Sequence, residues 1–206
     1  MDVVTDTRLR IIEAARTRLL ADGYAGLSTR KVAEEAGVPL SQLHYHFGSK
    51  GGLITALFAE ENNRLLERQT EMYAQDKPLW QRYEQACDFL EDDLESGYVR
   101  VLQEMLAAGW SNPEIGDVVR DLLGRWYVLL ADVAREAERR FGALGPFTPE
   151  EIATLVANAF IGSEALLLLG FERPVMPIRS ALRRIGVIIR EREEAAGAVG
   201  VPIVAG

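Results

Sequence analysis

The 206-residue chain carries a net charge of −8, a single cysteine and 48% hydrophobic residues. This composition is typical of a soluble globular protein and excludes a disulfide-rich scaffold. Cys87 has no partner for a disulfide within the chain, and the first ten residues lack the apolar run of a secretory signal. We therefore expect a cytoplasmic protein.

The charge is distributed unevenly along the chain. Residues 1–50 carry seven basic and six acidic side chains, for a net charge of +1, so the rest of the chain carries −9. Phosphate groups would repel this acidic part. We therefore expect any contact with nucleic acid to lie within the first 50 residues.

Helix signals recur along the whole chain, without a strand pattern or an internal repeat. Caps, glycines and prolines bound nine predicted helices; for example, Asn112 precedes Pro113, and Thr148 with Glu151 forms a capping box. The helices cover about residues 7–21, 28–36, 39–47, 49–73, 78–96, 98–110, 113–141, 149–169 and 177–194. The expected fold class is all-α, with three short helices followed by six longer ones.

Residues 152–171 form a largely apolar stretch that is nearly long enough to span a bilayer. The stretch contains Asn158, Ser163 and Glu164, whose side chains are costly to place in lipid. We interpret it as a buried helix of a soluble protein and expect no membrane partner.

The most informative pattern lies between Gly23 and Leu53. The predicted helices 28–36 and 39–47 are separated by a tight turn at Gly37, which is the pattern of a helix-turn-helix. Apolar residues stand where the two helices must approach each other. These residues are Val32, Ala33 and Ala36 in the first helix and Leu43 and Phe47 in the second.

The outward face of the second helix is expected to be polar. It carries Ser41, Gln42, His44, Tyr45 and His46, and each of these side chains can form hydrogen bonds. A helix that enters the major groove needs such donors and acceptors to contact base edges. The pattern therefore predicts a DNA-binding helix.

This stretch resembles the TetR family of one-component transcriptional regulators. The resemblance covers about the first quarter of the chain, with unbroken spacing. It is carried by Gly23-Tyr24, Ser28-Thr29, Val32-Ala33, Ala36-Gly37-Val38, Tyr45-His46-Phe47, Ser49-Lys50 and Leu53. The resemblance implies a helix-turn-helix DNA-binding domain at 1–50, a six-helix effector-binding and dimerisation domain at 51–196 and a flexible tail at 197–206.

The resemblance also implies a function. A homodimer would repress transcription from a palindromic operator in double-stranded DNA, and a small apolar or amphipathic effector would release it. No cofactor is expected. An activator, or a constitutive DNA-binding protein without an effector, remains an alternative.

The resemblance assigns DNA contacts to eight residues of the first domain. The positions that face bases are Ser41, Gln42 and His44, those that contact phosphates are Thr29, Tyr45, His46 and Lys50, and Arg30 can reach either. Phosphate contacts fix the position of the protein on DNA, whereas base contacts select the sequence.

Two features depart from the family pattern. Pro39 stands where a hydroxyl residue is usual, so one phosphate donor is missing. Gly51 and Gly52 stand at the start of the fourth helix, where each costs about 1 kcal/mol relative to alanine. One hypothesis is that they form a hinge, so that replacing them by Glu-Ala raises operator affinity and blunts induction. The alternative is that glycines are tolerated there without consequence.

The second domain offers candidates for two further sites. Residues that could enclose an effector, although they are also normal content of a core, are Phe89, Met105, Trp110, Trp126, Tyr127, Asn158, Phe160 and Glu164. The resemblance places a four-helix dimer interface on the last two helices. Its candidates, for which burial within one subunit is the alternative, are Ala153, Ala157, Ile161, Ala165, Leu168, Leu182, Ile185 and Ile189.

Three other interpretations have less support. His44 and His46 point about 200° apart around a helix, so they cannot easily share a metal ion. Cys87 lies in an apolar stretch, which is typical of a core residue rather than a thiol sensor. The acids at 92–95 could supply an acid and a base, but no nucleophile or cofactor loop accompanies them, so we expect no enzyme activity.

Overall fold

Nine α-helices make up most of residues 3–199, the part of the chain that the computed structural model describes. The helices are α1 (Val3–Gly26), α2 (Thr29–Ala36), α3 (Leu40–Phe47), α4 (Lys50–Tyr73), α5 (Leu79–Ser96), α6 (Tyr98–Ser111), α7 (Pro113–Phe141), α8 (Pro149–Leu168) and α9 (Ile178–Val199). The predicted all-α fold class is confirmed.

Helix boundaries follow the caps that the sequence contains. At the start of α8, the N–H of Glu151 donates to the hydroxyl of Thr148 (3.2 Å), and the Glu151 carboxylate accepts the N–H of Thr148 (2.8 Å). At the start of α7, the side-chain oxygen of Asn112 accepts the N–H of Glu114 (3.1 Å). Both predicted caps are therefore formed, and each satisfies N–H groups that have no partner within the helix.

The two terminal helices differ most from the prediction. α1 begins at Val3 and ends at Gly26, and the backbone of Gly23 (φ 68°, ψ 172°) interrupts it near the predicted end. α9 continues to Val199, beyond the predicted end at 194. Of the predicted tail, residues 200–206 lie outside the described part of the chain.

The chain divides into two compact units. Unit 1 comprises the chain up to Leu65 together with Gly97–Leu123, and unit 2 comprises Leu66–Ser96 together with residues from 124 onward. Because the divisions fall inside α4 and α7, each of these helices contributes to both units.

The core of unit 1 is formed by α1, α2, α3 and α6 with parts of α4 and α7. Its fully buried side chains include Ile11, Leu19, Val32, Leu43, Leu53, Ile54, Leu57, Phe58, Val101, Met105 and Ile115. This single cluster contains all the apolar residues that the sequence pattern assigned to the helix-turn-helix, except that Phe47 is half-buried at its edge.

The core of unit 2 is organised around α5, which packs against α8 and α9. The hydroxyl of Tyr83 donates to the backbone oxygen of Leu182 (3.0 Å). Gly186 lies against the same ring, where an added Cβ would be 3.2 Å from a ring carbon. Cys87 is buried beside Tyr83, and burial raises the pKa of its thiol to about 11. The thiol therefore stays protonated and has the character of a small core residue.

α8 is long and apolar enough to cross a membrane by length and composition, yet only 22% of its apolar stretch is buried. Leu155 and Leu166 are 53% and 37% exposed. The interpretation of this segment as a buried helix is therefore wrong within a single chain, and α8 presents an uncovered apolar face.

Candidate functional site

The turn between α2 and α3 is built around Gly37. Its backbone is left-handed (φ 63°, ψ 39°), a conformation that glycine adopts without strain. The N–H of Gly37 donates to Glu34 O (3.1 Å), and the N–H of Val38 donates to Ala33 O (3.0 Å). These bonds close the end of α2 and fix the direction in which α3 leaves the turn.

Arg10 of α1 adds a second constraint on this turn, which sequence reasoning missed. Its Nη2 donates to the backbone oxygen of Ala36 (2.6 Å) and to that of Gly37 (3.3 Å). The guanidinium thus bridges α1 to the turn. Its spacing from these residues, 26 and 27 positions along the chain, gives no local signal that could have found it.

α3 has one buried and one exposed face, as the pattern predicts. Leu43 is fully buried, whereas Ser41, Gln42 and His44 are exposed and Tyr45 is 80% exposed. Because Leu43 is held in the core, the polar side chains of α3 point outward from unit 1. This face offers hydroxyl, amide and imidazole groups on two successive turns of one helix.

His44 is oriented by the end of its own helix. Its Nδ1 lies 3.0 Å from the backbone oxygen of Gly48. Because a carbonyl oxygen only accepts, Nδ1 carries the proton in this contact, and Nε2 is left for an outside partner. In this tautomer Nε2 is an acceptor.

The predicted phosphate contacts lie at the start of α2, on α3 and at the start of α4. Thr29 is half-buried at the first position of α2, where the initial N–H groups have no acceptor within the helix, and Arg30 beside it is exposed. His46 is half-buried, with its ring 5.2 Å from that of Tyr45 in an edge contact. Lys50 Nζ lies 4.5 Å from the centre of the Tyr24 ring, and partial burial lowers its pKa. Helix N-termini and ammonium groups are suited to binding phosphate.

The two glycines at the start of α4 have different surroundings. A Cβ on Gly52 would lie 2.2 Å from the backbone oxygen of Phe47, whereas a Cβ on Gly51 would meet only Ser49 Oγ at 3.6 Å. The Ser49 hydroxyl accepts the N–H of Gly52 (3.0 Å) and caps α4. Glycine at 52 is therefore required by the close approach of α3, and the alternative that both glycines are without consequence is wrong for Gly52.

Unit 2 contains a cavity of about 280 Å³. Its wall is apolar apart from two tyrosines and one arginine. The lining residues are Tyr73, Leu79, Tyr83, Leu130, Val133, Ala134, Ala137, Phe141, Gly142, Ala143, Leu144, Ile152, Ala153, Val156, Ile185, Ile188, Ile189 and Arg192. This volume is close to the lower end of the usual range for small-molecule sites.

None of the eight residues predicted to enclose an effector lines this cavity. Met105 is buried in the core of unit 1, and Trp110 is 85% exposed. The other six, which lie in unit 2 outside the lining, are Phe89, Trp126, Tyr127, Asn158, Phe160 and Glu164. For this cavity the prediction is wrong. The predicted side chains pack in a core, bond to neighbouring helices or lie at the surface instead.

Several of these residues have structural partners instead. The indole N–H of Trp126 donates to Gln69 (2.7 Å), and the hydroxyl of Tyr127 donates to Asn158 (2.6 Å). The ring of Phe89 lies beneath the guanidinium of Arg68, at 4.2 Å. These contacts hold the helices of unit 2 together. In addition, Phe160 makes an edge contact with Tyr83 (6.1 Å), and Glu164 is buried.

The residues predicted for the dimer interface fall into three groups. Ala153, Ala157 and Leu182 are buried within the single chain, so their assignment to an outer surface is wrong. Their side chains are enclosed by the packing of α8 and α9 within unit 2. Ile185 and Ile189 line the cavity. Half-buried or exposed positions remain at Ile161, Ala165 and Leu168.

Within residues 3–199, no group of three or more His, Cys, Asp or Glu side chains could hold a metal ion. Of the acids at 92–95, Asp93 pairs with Arg68 at 2.7 Å. This ion pair gives the carboxylate a structural partner on α4.

Comparison with known proteins places the helix-turn-helix in a family. Residues 11–57 match the family described as "Bacterial regulatory proteins, tetR family". An uncharacterized HTH-type transcriptional regulator of Mycobacterium tuberculosis is 27% identical over 165 residues, covering 77% of this chain and 80% of the relative. The HTH-type transcriptional repressor AcnR of Corynebacterium glutamicum is 35% identical over 66 residues, which are 32% of this chain and 35% of the repressor.

The same fold occurs in a solved structure from Saccharomonospora viridis, a protein described as a transcriptional regulator and solved in complex with choline. Its TM-score is 0.73 at 23% identity, with 87% of this chain and 95% of that chain covered. At this identity the likeness shows the fold, and the chemistry of the cavity must be argued from this chain's own residues.

Proposed function

We propose that this chain, which belongs to the tetR family of bacterial regulatory proteins, is a cytoplasmic homodimeric repressor that leaves its DNA operator when a small molecule binds in unit 2. The observation that carries the DNA-binding part is the outward polar face of α3, fixed by buried Leu43 and by the turn at Gly37.

On this proposal, α3 enters the major groove. Ser41, Gln42 and His44 face base edges, where amide and imidazole groups can distinguish base pairs by their donors and acceptors. Phosphates are contacted by Thr29, Tyr45, His46 and Lys50, and these contacts set the position of the helix. Two such heads in a dimer bind a palindrome whose half-sites are ~34 Å apart, or a multiple of that distance.

The dimer is supported by the uncovered face of α8. Leu155 and Leu166 lie on the same side of the helix and expose apolar side chains, and a second copy of the chain would remove this area from water. An isologous contact between two copies of α8 and α9 pairs the same surface with itself. We keep the four-helix interface that the resemblance implies, and we assign it to exposed leucines of α8 in place of the buried alanines.

The response to a small molecule is supported by the cavity in unit 2. α4 and α7 both line the cavity and both extend into unit 1, so a movement of either whole helix when the cavity fills would be passed to unit 1. A ligand that binds more tightly to the conformation with low operator affinity shifts the population toward it and releases DNA.

The first test is an unbiased selection of bound sequences from random duplex DNA at a stated salt concentration. We expect enrichment of a single palindrome, because two identical heads related by a two-fold axis read the two half-sites in opposite directions. A folded protein that enriches no sequence would refute the proposal.

Variants of α3 and α4 then separate base contacts from phosphate contacts. We expect Gln42→Ala to cost about 1–3 kcal/mol on the selected operator and to relax the preference at one base pair of each half-site. Lys50→Ala should weaken binding to all sequences alike and reduce the salt dependence by about one ion per head. Quantitative binding at several salt concentrations distinguishes these two patterns, and the assignment is wrong if both variants behave alike.

A further inference from the structure

The cavity of unit 2 has one charged side chain in its lining, Arg192. α9 places it on the same face as three isoleucines of the lining, at the positions i, i+3, i+4 and i+7 of one helix. These residues are Ile185, Ile188, Ile189 and Arg192. The lining contains no carboxylate, so any charged ligand group in this cavity meets a positive charge.

Arg192 has no ion-pair or hydrogen-bond partner among the described residues. Its neighbours three and four positions away on α9 are isoleucines and alanines, so no acid can reach it along the helix. The adjacent Glu193 is occupied by Arg140, at 2.8 Å. Arg192 is exposed, and the donors of its guanidinium are therefore available to a partner from outside the chain.

A second polar group lies in the wall. Tyr73 is 9% exposed, lines the cavity, and its hydroxyl makes no hydrogen bond within the described residues. Burial raises the pKa of Tyr73, so the hydroxyl is neutral and can both donate and accept. By contrast, the hydroxyl of Tyr83 is already used by Leu182 O. A ligand atom in the cavity can therefore form a hydrogen bond with the hydroxyl of Tyr73.

One feature of the wall acts in the opposite direction. The C-terminal end of α7, at Phe141 and Gly142, lines the cavity, and the carbonyl groups of a helix end favour a cation. A helix end acts as about half a charge, and Arg139 in the last turn offsets it. The full charge of Arg192 therefore decides the sign.

From these observations we propose that the cavity binds an amphipathic anion: an apolar body held by the aliphatic wall, with an anionic group on Arg192 and a polar atom on the hydroxyl of Tyr73. This inference rests on the proposed function, since it names the chemical class of the effector. A cavity of 280 Å³ has the volume of about nine liquid water molecules, so a ligand of about ten heavy atoms fits.

Three probes that share an eight-carbon chain and differ in the charge and chemistry of the head group test the proposal: octanoate, 1-octanol and octylammonium. Their affinities for the full-length protein are measured by titration calorimetry at neutral pH. We expect octanoate to bind roughly tenfold more tightly than octanol, and octylammonium to bind most weakly. Arg192→Gln should weaken octanoate binding roughly threefold to tenfold and leave octanol unchanged. Arg184→Gln, which alters an exposed arginine of α9 outside the lining, is the matched control.

Tyr73→Phe tests the second contact, because it removes only the hydroxyl. It should weaken octanoate and octanol by similar factors, since both offer an oxygen. Equal affinity for the three probes, no binding of any of them, or an Arg192→Gln protein that keeps the affinity for octanoate would overturn the proposal. None of these results depends on operator binding, which the selection from random DNA tests separately.

Discussion

At the scale of single residues, the helix-turn-helix depends on two kinds of contact. One joins residues that are far apart in the sequence, and the other brings two backbone segments so close that a side chain does not fit between them. Arg10 holds the turn through two carbonyl groups, and Gly52 allows the end of α3 to lie directly against the start of α4. The sequence pattern identifies both glycines at 51 and 52 as unusual. It cannot separate them, because the difference arises from the position of the Phe47 carbonyl in three dimensions.

The pair of glycines therefore gives a sharp prediction. Gly52→Ala should lower the free energy of unfolding of unit 1 by about 1–3 kcal/mol, because the new methyl group meets the fixed backbone oxygen of Phe47. Gly51→Ala should be neutral or stabilising by up to about 1 kcal/mol, because alanine fits there and is the better helix former. Thermal unfolding and operator affinity of the two variants are compared.

A hinge would give the opposite pattern, in which both substitutions stiffen the start of α4 and raise operator affinity. The packing explanation fails if Gly52→Ala unfolds at the same temperature as Gly51→Ala.

At the scale of elements, the sequence predicts what local chemistry determines. Thr148 with Glu151, and Asn112 before Pro113, fix helix starts through bonds within four residues, and the structure has both. The lining of the cavity was not predictable in the same way. An aromatic side chain at helical spacing fits a core or a cavity equally well, and the wall of the cavity is made mostly of aliphatic residues that carry no distinguishing signal.

The predicted dimer stripe was wrong at two alanines of α8 for a related reason. Small residues permit close approach of a neighbouring helix, but the pattern does not say whether that helix belongs to the same chain. For Ala153 and Ala157 it does, since both are buried in unit 2. Which face of a helix is buried within its own chain depends on how all the helices pack, so the pattern of one helix does not determine it.

The contact between α5 and α7 gives a prediction for pH. Arg82 is 3% exposed and donates to Glu136 through Nη2 (2.5 Å) and Nη1 (3.2 Å), and Arg140 donates to the same carboxylate (2.9 Å). The hydrogen bond from Arg82, followed by that from Arg140, holds the pKa of Glu136 below its usual value. The carboxylate therefore stabilises the fold above the unfolded-state pKa of about 4.3, and this stabilisation is lost as the pH falls through the lower folded value.

We expect Glu136→Gln to cost about 2 kcal/mol at pH 7, because the buried guanidinium of Arg82 loses its anion. The cost should shrink at acid pH, where the wild-type carboxyl group also becomes neutral. Thermal melts from pH 7 downward measure the difference between the variant and the wild type. Glu138→Gln, at an exposed acid of α7, is the control and should show no such trend. A cost that does not change with pH would contradict the assignment.

At the scale of the whole molecule, the distribution of charge and apolar surface agrees with a DNA-binding dimer. The net positive charge lies in the first 50 residues and the net negative charge in the rest of the chain, so phosphate attracts the first part and repels the second. Part of the exposed apolar surface lies on α8, where length and composition alone would also permit a membrane helix. Two environments would cover the exposed apolar residues of α8, a second protein chain or lipid.

A single substitution on α8 separates these environments. Leu155→Glu places a charge on the exposed apolar face without altering the core, because Leu155 is 53% exposed. If a second copy covers this face, the variant should be a folded monomer by light scattering, since burying an unpaired carboxylate at an interface is strongly unfavourable. It should also lose most of its affinity for a palindromic operator, because one head makes only half of the phosphate and base contacts.

The control is Val128→Glu, at an exposed valine of α7, which should remain dimeric. A Leu155→Glu protein that stays dimeric and keeps its operator affinity would place the interface elsewhere, and wild-type protein that is monomeric in water but binds lipid vesicles would assign the apolar face of α8 to a membrane.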